Sequence, residues 1–170
     1  PAAAFGTLAG QRVFVPYTHT EAASPAVRSP AVRDEIIASD IFNPQVFDPI
    51  FNQFRMNAGA ADHVVGMHPF GEDSLVVFNR NSIHRLVGVS GSLLDVSSPL
   101  SEAIDAEFKR VNRNHMDKAV GCYSDNRYYL AVPTGESTEC NEIWVYSFLN
   151  SSWESIDTAS SAGFTVNGFV

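Results

Sequence analysis

Two stretches of this chain each break into four short apolar runs separated by turn residues. The first, His63–Ser97, reads HVVGMHPF, GEDSLVVFN, RNSIHRLVG and GSLLDVS. The second, Lys118–Asp157, reads KAVGCYSD, NRYYLAVP, NEIWVYSFL and SSWESID. Runs this short cannot make a helical bundle. Four in succession, joined by tight turns, predict a four-stranded antiparallel meander, and meanders repeated along a chain are the sequence sign of β-propeller blades. The fold expected is all-β, with antiparallel propeller-like blades at 63–97 and 118–157, forming a partial or incomplete propeller within a single domain spanning 1–170.

Details within the runs agree. Asn79-Arg80-Asn81 between SLVVF and SIHRLVG, and Asp125-Asn126 before RYYLAV, are hairpin signals. Tyr128, Leu130 and Val132 fall on one strand face, Tyr129 and Ala131 on the other. The near-continuous Val, Leu, Ile and Phe of the first unit predict strands buried on both faces.

Outside the two units the pattern is weaker. Gln11–Tyr17 and Glu35–Ser39 read as strands, and residues 20–33 as a loop. Residues 40–57 alternate Phe with Asn, Asp and Pro, and read as an extended, aromatic-pinned connection, because Pro44 and Pro49 interrupt any helix. Ala58–Asp62 reads as a turn, and Ala162–Val170 as the start of a further strand. Between the units, Leu100, Ile104, Phe108 and Val111 recur at helical spacing. Ser98 and Pro99 supply a start, Glu102 and Asp105 lie early, and Lys109 and Arg110 lie late. This predicts one accessory amphipathic helix near 99–111, about three turns long.

Charge narrows the partners. Nineteen acidic residues against eleven basic ones give a net charge of −8. Phosphate neutralisation needs Lys and Arg, so a dedicated nucleic-acid binder is disfavoured, whereas a surface that DNA passes without sticking is compatible. Lys109, Arg110, Arg113 and Lys118 hold four of the eleven cations. They are the candidate contact for DNA or an acidic partner, set against the plainer reading of charges complementing a helix end. Cys122 and Cys140 are too sparse for a disulfide framework and read as free thiols of an intracellular protein. No apolar run is long enough to cross a membrane as a helix, and no membrane partner is expected. No basic-then-apolar leader is seen, and the opening PAAAFG, without Met, reads as a processed start or as a piece of something longer.

Chemistry-bearing constellations are sparse. His63 and His68 lie near Asp62, Glu72 and Asp73, but residues five apart on a strand face opposite sides, so a metal site is disfavoured. His19, His84 and His115 are scattered. Glu102, Asp105 and Glu107 read as a solvated helix face rather than acid–base carboxylates. There is no GxSxG elbow. Trp144, Tyr146 and Trp153 read as blade packing before a sugar platform. The sialidase box Ser-x-Asp-x-Gly-x-x-Trp is absent, and the kelch double glycine does not accompany Tyr146 and Trp153. The expectation is no enzyme, no catalytic residues and no cofactor or metal.

Three segments carry a family resemblance: LAGQRVFVPY followed by DEIIASDIFNPQVFD; NQFRMNAGAADHVVGMHPFGEDSLVVFNRNSIHRLVG; and DNRYYLAVPTGESTECNEIWVYSFLNSSWESID. Their order and spacing, over roughly residues 8–157, resemble the packaged-DNA stabilisation and tail-nozzle proteins of short-tailed phages and related β-propeller virion proteins. The resemblance implies a structural role in the virion tail, assembled in the host cytoplasm. It implies a homo-oligomeric ring, with a hexamer favoured, contacting a portal or adaptor ring and tail fibres or a needle. Double-stranded DNA would be retained and then pass through on ejection. Family members are longer and carry more blades, so exposed rims here would need cover from a neighbour or from further chain. Two alternatives belong to other classes. One is a virion carbohydrate-binding module for host attachment. The other is a glycan-degrading enzyme, which needs two carboxylates about 5 to 10 Å apart.

Overall fold

In a computed structural model, residues 6–19, 32–48, 52–56, 64–71, 73–89, 95–96, 99–158 and 165–169 are described. The described chain is mostly antiparallel β, with thirteen strands in three sheets and one short α-helix. No closed barrel forms among the described residues.

The second and third sheets are simple meanders. β6 (Val64–Phe70), β7 (Ser74–Asn79), β8 (Ile83–Val87) and β9 (Asp95–Val96) pair in chain order. So do β10 (Val120–Ser124), β11 (Arg127–Val132), β12 (Glu142–Ser147) and β13 (Ser152–Thr158). The four runs of each sequence unit coincide with these strands. Asp125 and Asn126 both have positive φ, 48° and 57°. Two left-handed residues match the twist of the flanking strands, as a two-residue hairpin requires. In the other meander, the turn closes with Asn79 N–H donating to Ser82 O at 2.8 Å.

The first sheet is more than the sequence reading allowed. β1 (Thr7–Ala9), β2 (Arg12–His19), β3 (Val32–Asp40) and β4 (Asn43–Phe47) pair in order, and β5 (Gln53–Arg55) also pairs with β3. The segment read as a connection, 40–57, therefore contributes two strands. Pro44 fits because β4 pairs only with β3 and is an edge, where a missing N–H costs no ladder bond. Most of residues 20–33 and all of Ala58–Asp62 fall outside the described residues, as do His63 and Ser98.

Two apolar clusters hold the sheets together, and they meet at the second sheet. Val76, Phe78 and Ile83 join Tyr128, Leu130, Val132 and Trp144 of the third sheet. Leu75, Val77 and Leu86 join Phe14, Ile36 and Ala38 of the first. All six residues of β7 are buried. Successive strand side chains point to opposite faces, so at β7 both faces of the second sheet are covered. Each such fully buried side chain contributes about 1.5–3 kcal/mol.

The helix expected near 99–111 is shorter than its apolar spacing implied. A 3-10 turn covers Leu100–Ile104, and α1 covers only Asp105–Phe108. Ile104 departs from helical geometry, with φ −123° and ψ 30°. The cause is tertiary. The Ile83 N–H donates to the buried Ser101 hydroxyl at 3.1 Å, and Val111 forms a β-bridge to Thr134. Both ends are tied to sheets, so a continuous α-helix is not reached, although Phe108 and Val111 still enter the core. Pro99 occupies the cap position rather than the first helical one.

The final described segment also departs from expectation. Residues 165–169 are not a strand; Val166 N–H donates to Cys140 O at 3.0 Å, and Phe169 lies against Tyr129.

Candidate functional site

The segment from Pro99 to Lys118 clasps the second and third sheets and carries the four candidate cations and the acidic helix face singled out in the sequence. Its attachment is built from a few specific bonds. Trp153 Nε1 donates to Leu100 O at 2.8 Å. Gly135 N–H donates to Arg110 O at 2.8 Å, and Asn112 N–H to Pro133 O at 2.8 Å. At its centre the buried Glu142 carboxylate accepts from Arg110 Nη2 at 2.6 Å and from Trp144 Nε1 at 3.0 Å. A buried carboxylate needs such partners, because an unpaired one is costly to desolvate.

The four candidate contact cations all lie on this segment, and three carry their own counter-ions. Lys109 Nζ lies 2.6 Å from Asp105. Arg110 pairs with Glu107 as well as Glu142, and Lys118 pairs with Glu139. The hydrogen bond that Arg110 donates to Glu107, then the charge of Glu142, hold its guanidinium above its ordinary pKa. Arg113 is exposed and makes no ion pair among the described residues. The four are near one another in sequence, yet their field is largely cancelled locally. Of the acidic candidates, Glu102 and Asp105 are exposed and Glu107 is half-buried, as a solvated face predicts.

His68 sits on β6, between the second and third sheets. Its Nδ1 is 2.7 Å from the Tyr128 hydroxyl. Gly121 backs the pair: a Cβ there would lie 2.5 Å from the Tyr128 oxygen and 2.7 Å from His68 Nδ1. Burial pushes the His68 pKa down to about 4 and the Tyr128 phenol up. Among the described residues, no three His, Cys, Asp or Glu side chains gather into a metal-binding group. Cys140 is buried and its thiol is pushed up to about 11, first by burial; Cys122 is half-buried and also raised by burial. Neither thiol is an activated nucleophile.

The aromatic residues form a continuous run. Trp144 is fully buried and edge-on to Trp153 at 6.1 Å, and Tyr146 meets Trp153 at 5.2 Å and Phe148 at 5.0 Å. Phe148 stacks on Phe70, and the Arg85 guanidinium lies over both rings, at 4.9 Å from Phe70 and 5.3 Å from Phe148. Sequence reasoning placed Trp144 in packing but missed that Trp153 and Tyr146 also line an open groove against Pro99 and Leu100. The groove needs residues about fifty apart in sequence, and no local pattern announces that pairing. No protein-family model matches the chain, and no curated protein matches its sequence.

Proposed function

We propose that this chain is a non-enzymatic structural component of a phage tail, part of a nozzle or connector ring. In this reading it helps retain packaged double-stranded DNA and forms part of the exit channel. The three sheets are then successive propeller-like blades of an unclosed propeller.

The observation that carries the reading is the second sheet, Val64–Val96, buried on both faces between the first and third. Sheets that follow one another in the chain and each pack on the next are what adjacent blades require. The segments that resemble tail-nozzle proteins fall on these strands, with DNRYYLAVP on β11 and NEIWVYSF on β12. Unfinished rims favour a neighbouring subunit: Phe42 is 79% exposed beside the β4 edge, and Leu8 is 65% exposed on β1. Such edges and apolar side chains call for cover. A homo-oligomeric ring, a hexamer first among the options, supplies that cover, with portal or adaptor proteins and fibres or a needle as further partners. The net charge of −8 suits a wall that double-stranded DNA slides past. Arg113 is the cation of the four left available for a phosphate or an acidic neighbour.

The test is imaging of intact virions carrying a labelled copy of this chain. The expected result is ring-shaped label density on the tail axis, below the portal. Label on the capsid shell, or particles lacking the protein, would refute the reading.

A further inference from the structure

A groove of about 620 Å³ runs between the 3-10 turn at Leu100–Ile104 and the β12–β13 hairpin. Its wall is apolar and its rim is not. Pro99, Leu100, Tyr146 and Trp153 make the wall; Glu102, Ser151 and Ser152 make the rim.

Trp153 is set rigidly. Its indole N–H is held by Leu100 O at 2.8 Å, and its ring is edge-on to Trp144 and steeply inclined, at 72°, to Tyr146. Both neighbours are buried, whereas Trp153 keeps part of its surface open. A fixed, partly exposed indole is a platform that loses little freedom when something lies on it. Ser151 adds a second observation. It has φ +49°, a left-handed conformation that serine rarely adopts, and it lies at the groove's lip beside Tyr146. Strain at a non-glycine residue clusters where a side chain has a task. Glu102 is exposed and makes no ion pair among the described residues, so its carboxylate is open to accept hydrogen bonds.

Among the described residues, no cation lines the groove. A phosphate, sulfate or carboxylate ligand would therefore meet Glu102 with nothing to offset it. A neutral ligand with one apolar face and a belt of hydroxyls matches each part of the lining. We propose that the groove binds a neutral glycan, one pyranose ring laid on Trp153 with its hydroxyls bonded to Glu102 and Ser152. The site is an open trough, so an internal unit of a longer saccharide fits as well as an end. This binding function is separate from the structural role proposed above, and either can fail alone.

The test uses the 170-residue chain against an array of neutral glycans, followed by titration of maltotriose, cellotriose, chitotriose and mannotriose. Intrinsic tryptophan emission is the readout; Trp144 is fully buried, so a change reports on Trp153. A saturable response to at least one neutral glycan is expected. Trp153→Ala should abolish binding on the array, a readout that does not depend on the indole. Glu102→Lys, on an exposed side chain, should leave the melting temperature unchanged and weaken binding about tenfold or more, the scale of losing one charge-assisted hydrogen bond. No saturable response on the array, or binding untouched by Glu102→Lys in a folded variant, overturns the proposal. So does occupation of the groove by a second copy, seen as a Trp153-dependent dimer with no sugar response.

Discussion

His68 Nδ1 lies 2.7 Å from the hydroxyl of Tyr128, joining β6 of the second sheet to β11 of the third across their shared core. The imidazole is neutral there, because burial disfavours its charged form.

That burial makes stability depend on pH. The His68 pKa falls from 6.5 to about 4 on folding. Above 6.5 both states are neutral and no difference arises. Between 6.5 and 4 the unfolded chain takes up a proton that the folded one refuses, so stability falls as pH drops and levels off below 4. The total approaches about 3 kcal/mol for this group. Urea midpoints of the wild type and His68→Gln across pH 4–7 should converge as pH falls, with the variant the flatter; parallel curves would show that His68 does not titrate this way.

Leu75 and Phe78 test whether the middle sheet is buried on both sides. They sit on opposite faces of β7 and in different clusters. Leu75→Ala should cost about 2–5 kcal/mol and Phe78→Ala about 3–5. A sheet with one wet face would give one large loss and one near zero in denaturant melts.

Glu142 and Asp105 separate buried from surface ion pairs. Glu142→Gln weakens the charge-assisted bond from Arg110 and perturbs the acceptor for the Trp144 indole. A loss of about 2–3 kcal/mol is expected, since the site is dry. Lys109→Ala breaks only the exposed pair with Asp105 and should stay within about 0.5 kcal/mol. Thermal melts of the two variants distinguish them directly.

The two later sheets were legible because each strand is short, apolar and bounded by turn residues such as Asp125-Asn126. The first sheet was not. β3 pairs with β2, β4 and β5 at once; β4 carries Asn43 and Pro44, and Asn52 precedes β5, so the stretch reads locally as an extended connection. The accessory helix was visible in the spacing of Leu100, Ile104, Phe108 and Val111, and those side chains do pack inward. Its truncation was hidden, because the Ser101 and Val111 ties come from strands elsewhere in the chain. The groove was half legible: Trp153, Leu100 and Glu102 each stood out, but only as packing aromatic, helix spacing and solvated face, and nothing local set them opposite one another.

The polypeptide completes each sheet before starting the next, and among the described residues the hydrophobic seams join only successive ones. Cooperativity in such an array passes from neighbour to neighbour rather than through one common centre. Losing the first sheet would strip one side of the second while leaving the seam to the third in place. Damage or duplication can therefore act by whole units, and a protein of this build can change length without redesigning the parts it keeps.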